Sequence, residues 1–500
     1  MRALQPVSYR LLGMGDLDLA VRDPLNRTNL YQLGGVSAGL GLDQDSTSVH
    51  FRAGGESATR DIERPTRLEE IAKSSGSTLA MEGVLRFSET LAFGIDAGLP
   101  SERRAVPYSN DASVSTSSID PAANVMMSGR LFGPVLWGAN AFFAGRNQLR
   151  EYWSNDLQFT RNPWTGETKD YRLVIDGGEG KLEPPTFFEL TDRTVESKGL
   201  GGSLAYQYRE FGEAAFYLLR TSEDVAGEQD GQRQVYDTFE ERRISDFGFA
   251  FIGRPREDVD LGVALGRSTY DGVEDYRFSV SGGSTGSPLQ GRGDRSLRNF
   301  RADYLDGRVQ GDLLVEGLTL GADLRVAYER WHEAPATTEG NFNDFVLTSV
   351  TVDTLVAPPL VRESVTESRV LGFGLGASYA LPNRPILVGA EYHWRRDAQN
   401  GTMLERRPQG WSVRLGGEWV PNPTWTARLG WVHDAGDQDR LTVLNEGVAD
   451  RVTLGGGWHA GSGWTLDAFA QAAWGRTDYA DPLGPLEKGW AMGAALTRLF

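Results

Sequence analysis

The chain has 500 residues, no cysteine, and 68 acidic against 51 basic side chains, a formal net charge of −17. That balance argues against nucleic acid, which calls for a basic face, and leaves no thiol for disulfides or thiolate metal sites. Mean hydropathy is −0.38 and no stretch supplies the roughly 20 apolar residues of a spanning helix, so a helical membrane protein is excluded while a strand barrel is not.

The first 45 residues alternate poorly and form a unit apart from the rest. Met1-Arg-Ala-Leu-Gln-Pro has no apolar signal core, so an exported chain is expected to have its signal outside this numbering. The stretch from Leu11 to Gly35 carries Leu12-Gly13-Met14-Gly15, Ala20-Val21, Asp23 and Asn29-Leu30 in order. This resembles the N-terminal segment of the long-chain fatty acid transporter family and the related type IX secretion barrels, without the Pro-Ala of their Asn-Pro-Ala-Gly-Leu motif. The resemblance implies a segment packed inside an outer-membrane β-barrel as a plug. It tilts the expected cargo towards hydrophobic molecules and carries over no binding residue.

From about Ser46 to the end, period-two alternation sets in, which sends successive side chains to opposite faces of a strand. Paired runs recur, among them Leu79–Phe87 with Leu91–Gly98, Val125–Phe132 with Val135–Phe143, Val370–Tyr379 with Ile386–Arg395, and Trp411–Val420 with Trp425–His433. Tight Gly, Pro and Asn turns join each pair, as at Phe132-Gly-Pro, Pro421-Asn-Pro-Thr and Ala460-Gly-Ser-Gly. Between pairs the links are long, at 54–78, 99–123, 147–196, 222–240, 270–296, 331–366, 396–409, 435–448 and 475–486. Short turns at one end and long loops at the other predict an all-β transmembrane antiparallel barrel of about 18 strands, with 14 to 16 as the lower count. No fixed repeat of about 40–50 residues marks a propeller.

The placement of tryptophan supports a membrane band. Trp411 and Trp419, Trp425 and Trp431, and Trp464 and Trp474 bracket apolar outward rows, as two interfaces require. The last strand, Glu487 to Phe500, sets Trp490, Met492, Ala494, Leu496 and Phe500 on one face. It looks like the C-terminal assembly strand of outer-membrane barrels, with Arg498 in a normally apolar place, explained by a position at the rim. This strand is expected to close on residues 47–53.

The opposite rows predict a wet lumen carrying Glu82, Arg86, Asp96, Asn140, Asp258, Asp260, Asp323, Arg325 and Glu329. Later strands add Glu391, His393, Arg395, Arg414, Glu418, Asp467 and Gln471. Gly372, Gly374 and Gly376 bare one inner face and leave room for a plug or inserted loop.

Catalysis finds little support. No G-x-S-x-G elbow marks a nucleophile, and no His-x-x-x-His pair or P-loop lysine is present. Acidic runs such as Asp43-Gln-Asp45, Glu228-Gln229-Asp230 and Asp437-Gln-Asp439 could hold Ca²⁺ but lack EF-hand spacing, so no metal or other cofactor is expected. The aromatic links 147–196 and 331–366, the second with the strand-like run Phe345 to Val356, read as lids or binding surfaces. The expectation is a bacterial outer-membrane channel for passive passage of small solutes. It would contact outer-membrane lipids and the barrel assembly machinery. The alternative is a scaffold or shuttle barrel that engages a surface or secreted protein through those loops.

Overall fold

The computed structural model describes most of the chain from Ser48 to Leu499. It also describes Arg10, Leu11, Met14, Leu17, Asp18, Leu19 and Val21 of the N-terminal segment. The longest stretches outside the described residues are 1–9, 22–47, 155–171, 281–288 and 352–363.

Eighteen antiparallel strands close into one barrel. The first six are β1 Ser48–Glu63, β2 Glu69–Ser88, β3 Leu91–Ser109, β4 Ala122–Phe132, β5 Val135–Ser154 and β6 Phe187–Tyr208. The middle six are β7 Gly212–Gly231, β8 Gln234–Arg256, β9 Val259–Val280, β10 Leu289–Asp312, β11 Leu318–Pro335 and β12 Ser364–Ala380. The last six are β13 Ile386–Gly401, β14 Gln409–Asn422, β15 Trp425–Arg440, β16 Val443–Ala460, β17 Trp464–Asp478 and β18 Leu486–Leu499. Three short segments, Ala112–Ile119, Thr338–Gly340 and Glu405–Arg406, extend the sheet at the long-loop end. The seam joins β1 to β18, with Ala53 opposite Ala494 and His50 opposite Thr497.

The tight turns near Gly133, Asn422 and Gly463 lie at one end of the barrel. Gly133 and Gly463 take φ of 49° and 81°, a left-handed backbone that favours glycine. Between β14 and β15, the Asn422 side chain accepts from the backbone N–H groups of Thr424 and Trp425 at 2.9 and 3.0 Å, an Asx turn.

Several long links differ from expectation, because most of their length is strand. In the expected link 222–240, Ser222 pairs with Arg243 and the ladder runs on to Asp230 opposite Val235. In 435–448 the ladder reaches Arg440 opposite Val443. Beyond the lipid both faces are wet, so hydropathy stops alternating while main-chain pairing continues. Link 147–196 likewise keeps Trp153 opposite Phe188 and holds a small hairpin, Arg172–Asp176 with Glu179–Glu183. Of the run expected at 345–356, the described part is the pairing of Val346–Leu347 with Val350–Thr351.

Large apolar side chains gather on the outer face. Leu79, Leu200, Phe216, Leu429, Leu454 and Met492 are all more than half exposed on the outer wall. An apolar surface this large marks a face that meets lipid or a partner rather than open water. Trp411, Trp419, Trp425, Trp474 and Trp490 are exposed on the same face, and Trp431 and Trp464 are partly covered there. Arg498 lies opposite Trp464 at the short-turn rim, its guanidinium 5.0 Å from the ring centroid. Phe500 lies outside the described residues.

Candidate functional site

The inner rows of β10 to β14 form a cradle, and the N-terminal segment lies in it. Leu11, Met14, Leu17 and Val21 are buried together and pack on Leu387 of β13. The cradle accepts the segment because its wall is bare. A Cβ added at Gly416 would stand 2.0 Å from the Met14 carbonyl oxygen, and one at Gly321 2.0 Å from that of Leu19. One at Gly374 would meet Leu19 Cδ1 at 2.6 Å, and one at Gly389 would meet Leu17 Cδ1 at 3.0 Å. Four glycines on neighbouring strands therefore make the floor on which one segment of backbone rests.

Polar side chains at the edge of this floor hold the segment. Arg10 donates from Nε and Nη2 to the two carboxylate oxygens of Glu418, at 3.0 and 2.9 Å. Asp18 accepts from Arg414 at 3.2 Å and Arg308 at 3.4 Å. The backbone of Leu19 donates to Glu391 at 2.6 Å and accepts from Gln310 at 2.7 Å. Among the described residues, the charges of Arg10 and Asp18 and the main chain of Leu19 thus find partners on the wall, as burial demands.

Glu418 is itself held from behind. Arg428 donates to it at 2.8 Å and reaches Asp467 at 2.6 Å, while its own side chain is 1% exposed. The reach crosses Gly457, where a Cβ would stand 2.8 Å from an Arg428 Nη atom. Arg10, Glu418, Arg428 and Asp467 therefore form one chain of alternating charge.

His393 hydrogen-bonds Glu391 at 3.0 Å. Asp18, Glu391 and His393 offer three ligand atoms within 4.8 Å of one another, a grouping that could hold a cation. The guanidinium of Arg414 supplies positive charge there, 3.2 Å from Asp18 and 3.8 Å from Glu391.

The remaining inner-row residues are placed elsewhere on the wall. Asp323 faces Gly374 beside His393. Arg325 approaches Asp306 at 3.8 Å, and Arg395 approaches Asp397 at 3.9 Å. Asp260 pairs with Arg254 and Asp258 with Arg256 at the turn end. Asp96 and Asn140 are buried on β3 and β5, Asn140 donating to Asn124 at 3.2 Å. Glu82 sits opposite Asp96 in the β2–β3 register, but its side chain and that of Arg86 lie outside the described residues.

Sequence reasoning missed Arg10, Asp18 and Arg428. The first two lie in the non-alternating segment, and the third alternates with the aromatic row that drew attention on β15. It also missed a second lumen network. Arg242 bridges Glu223 at 3.0 Å and Glu240 at 2.6 Å, and Tyr270 donates to Glu240. Nearby, Tyr217 and Tyr304 reach across Gly248 and Gly266 until their hydroxyls meet.

No protein-family model and no curated protein matches the chain. Among solved structures it is similar to the ferric yersiniabactin uptake receptor FyuA from Yersinia pestis. That match has 9% identity and a TM-score of 0.44, covering 92% of this chain and 81% of that one. It is also similar to the monoaromatic hydrocarbon channel TodX in a deltaS2 mutant, at 11% identity and TM-score 0.43, covering 99% of each. The P. putida toluene transporter TodX gives 11% identity and TM-score 0.38, covering 100% and 99%. At these values the weight of any functional reading falls on the N-terminal segment and its cradle.

Proposed function

We propose that the chain is a bacterial outer-membrane channel for passive passage of small, hydrophobic solutes, with the N-terminal segment as its plug. The observation that carries this reading is the seating of Met14, Leu17 and Leu19 on a glycine floor, held at the edge through Arg10, Asp18 and Leu19 by ion pairs and hydrogen bonds. Such contacts exchange with water or solute at modest cost once the segment shifts. The apolar faces of Leu17 and Leu387 would then be open to a hydrophobic guest. The resemblance of the N-terminal motif to the fatty acid transporter family points the same way. The barrel acts as a conduit, and chemistry is not required of it.

The test is solute flux into proteoliposomes. Wild-type barrel should pass small apolar solutes slowly, and Arg10→Gln should pass them faster. A barrel that passes nothing in either form would contradict the reading and favour a scaffold working through its long loops.

A further inference from the structure

Charged side chains on an outward row need a reason, because that row faces lipid. On β9 to β12 two neighbouring cross-strand rungs carry them. One reads Arg267, Asp303, Tyr328, Arg369, each opposite the next. The other, further from the short turns, reads Thr269, Arg301, Arg330, Glu367.

Towards the short turns the next rung is wholly apolar, with Leu265, Leu305, Val326 and Leu371 in register and Phe249 beside Leu265. Away from them the outward row turns polar, as at Asp271 opposite Asn299. The charged rungs therefore sit where acyl chains give way to headgroups. A groove of about 1030 Å³ runs along this part of the wall, lined above by Arg267, Tyr328 and Arg369 and below by the leucines and Phe249.

The charges do not cancel within the patch. Asp303 is shared by Arg267 at 2.6 Å and Arg301 at 2.7 Å. Glu367 engages the Tyr328 hydroxyl. Arg330 and Arg369 are exposed and have no ion pair among the described residues. Four guanidiniums thus face two carboxylates, on a chain whose net charge is −17. Guanidinium forks match phosphate oxygens, and the groove beneath matches a hydrocarbon chain.

We propose that this patch on β8 to β12 binds an anionic membrane lipid, its phosphate among Arg301, Arg330 and Arg369 and an acyl chain in the groove. The inference rests on the reading that the barrel spans a membrane. It goes beyond general lipid contact by fixing one site and one headgroup chemistry.

Full-length barrel, reconstituted in phosphatidylcholine nanodiscs, would be titrated with bisphosphorylated lipid A and, separately, with inorganic phosphate. Loss of charge-assisted hydrogen bonds in the double variant R301Q/R369Q should weaken lipid A binding by about tenfold or more. R220Q, which removes an exposed outward arginine on β7 outside the patch, should bind as wild type does. Inorganic phosphate alone should bind far more weakly than lipid A. Equal binding by R301Q/R369Q and wild type would overturn the proposal, as would equal weakening by R220Q or equal affinity for free phosphate. Heat-modifiable migration confirms that each variant is folded. A folded barrel that never enters the bilayer would overturn the membrane reading together with the proposal. Insertion with unaltered binding overturns the proposal alone.

Discussion

Arg10 and Glu418 are 408 positions apart in sequence and meet as a two-point ion pair inside the barrel. The Arg10 side chain is 28% exposed, so water screens the pair in part. Hydrogen bonds to charged groups contribute about 1.5–3 kcal/mol, and this pair should lie near the low end. Arg10→Gln should therefore raise the undocked fraction of the segment by roughly tenfold. Protease cleavage of the segment in intact proteoliposomes reads that fraction, and unchanged cleavage would show that the pair does not hold it.

The glycine floor makes a steric prediction. Gly416→Val places a branched side chain where the Met14 carbonyl oxygen already stands 2.0 Å from the Cβ position. The segment should leave while the barrel stays closed, because no ladder hydrogen bond is lost. Flux should rise with heat-modifiable migration intact. A barrel that unfolds, or flux that stays at the wild-type level, would contradict the floor.

Arg428 is the residue whose loss should damage the wall itself. Arg428→Leu leaves the buried Glu418 and the part-buried Asp467 without their shared cation. Breaking a buried pair from one side costs about 3–5 kcal/mol. The midpoint of urea unfolding in bilayers should fall accordingly, and Glu418→Gln combined with Asp467→Asn should recover part of the loss.

The outer wall can be tested at mid-band. Leu454 is 60% exposed on β16, and Leu454→Arg would put a charge against lipid. The expected cost is about 2–4 kcal/mol near the midplane. A cost close to zero would mean that water, not lipid, bathes this face.

Much of the architecture was legible because a strand barrel writes its two faces at period two. The tryptophan pairs of β14, β15 and β17 and the closing pair of β1 with β18 follow from that period alone. The same parity singled out Glu391, His393, Arg414 and Glu418 and the bare stretch at Gly372 to Gly376. It could not show what would fill the bare stretch. The contacts of Asp18 with Arg308 and Arg414 span 290 and 396 positions, and nothing local encodes them. Strand lengths were under-read for a physical reason, since alternation fades where both faces meet water. Arg267 and Asp303 stand on an outward row that period-two parity marks as apolar, and their mutual bond at 2.6 Å lowers the cost of that placement.

The central claim is that the N-terminal segment controls the lumen, and locking it in place tests this most directly. The chain has no cysteine of its own, so thiols introduced at Leu17 and Ser378, which flank the Gly389 floor, can be joined by a short bifunctional methanethiosulfonate. Flux of a small apolar solute into proteoliposomes is then measured before and after reduction of the link. The account predicts flux near zero while the segment is tethered and recovery on reduction. Equal flux in the two states would contradict it.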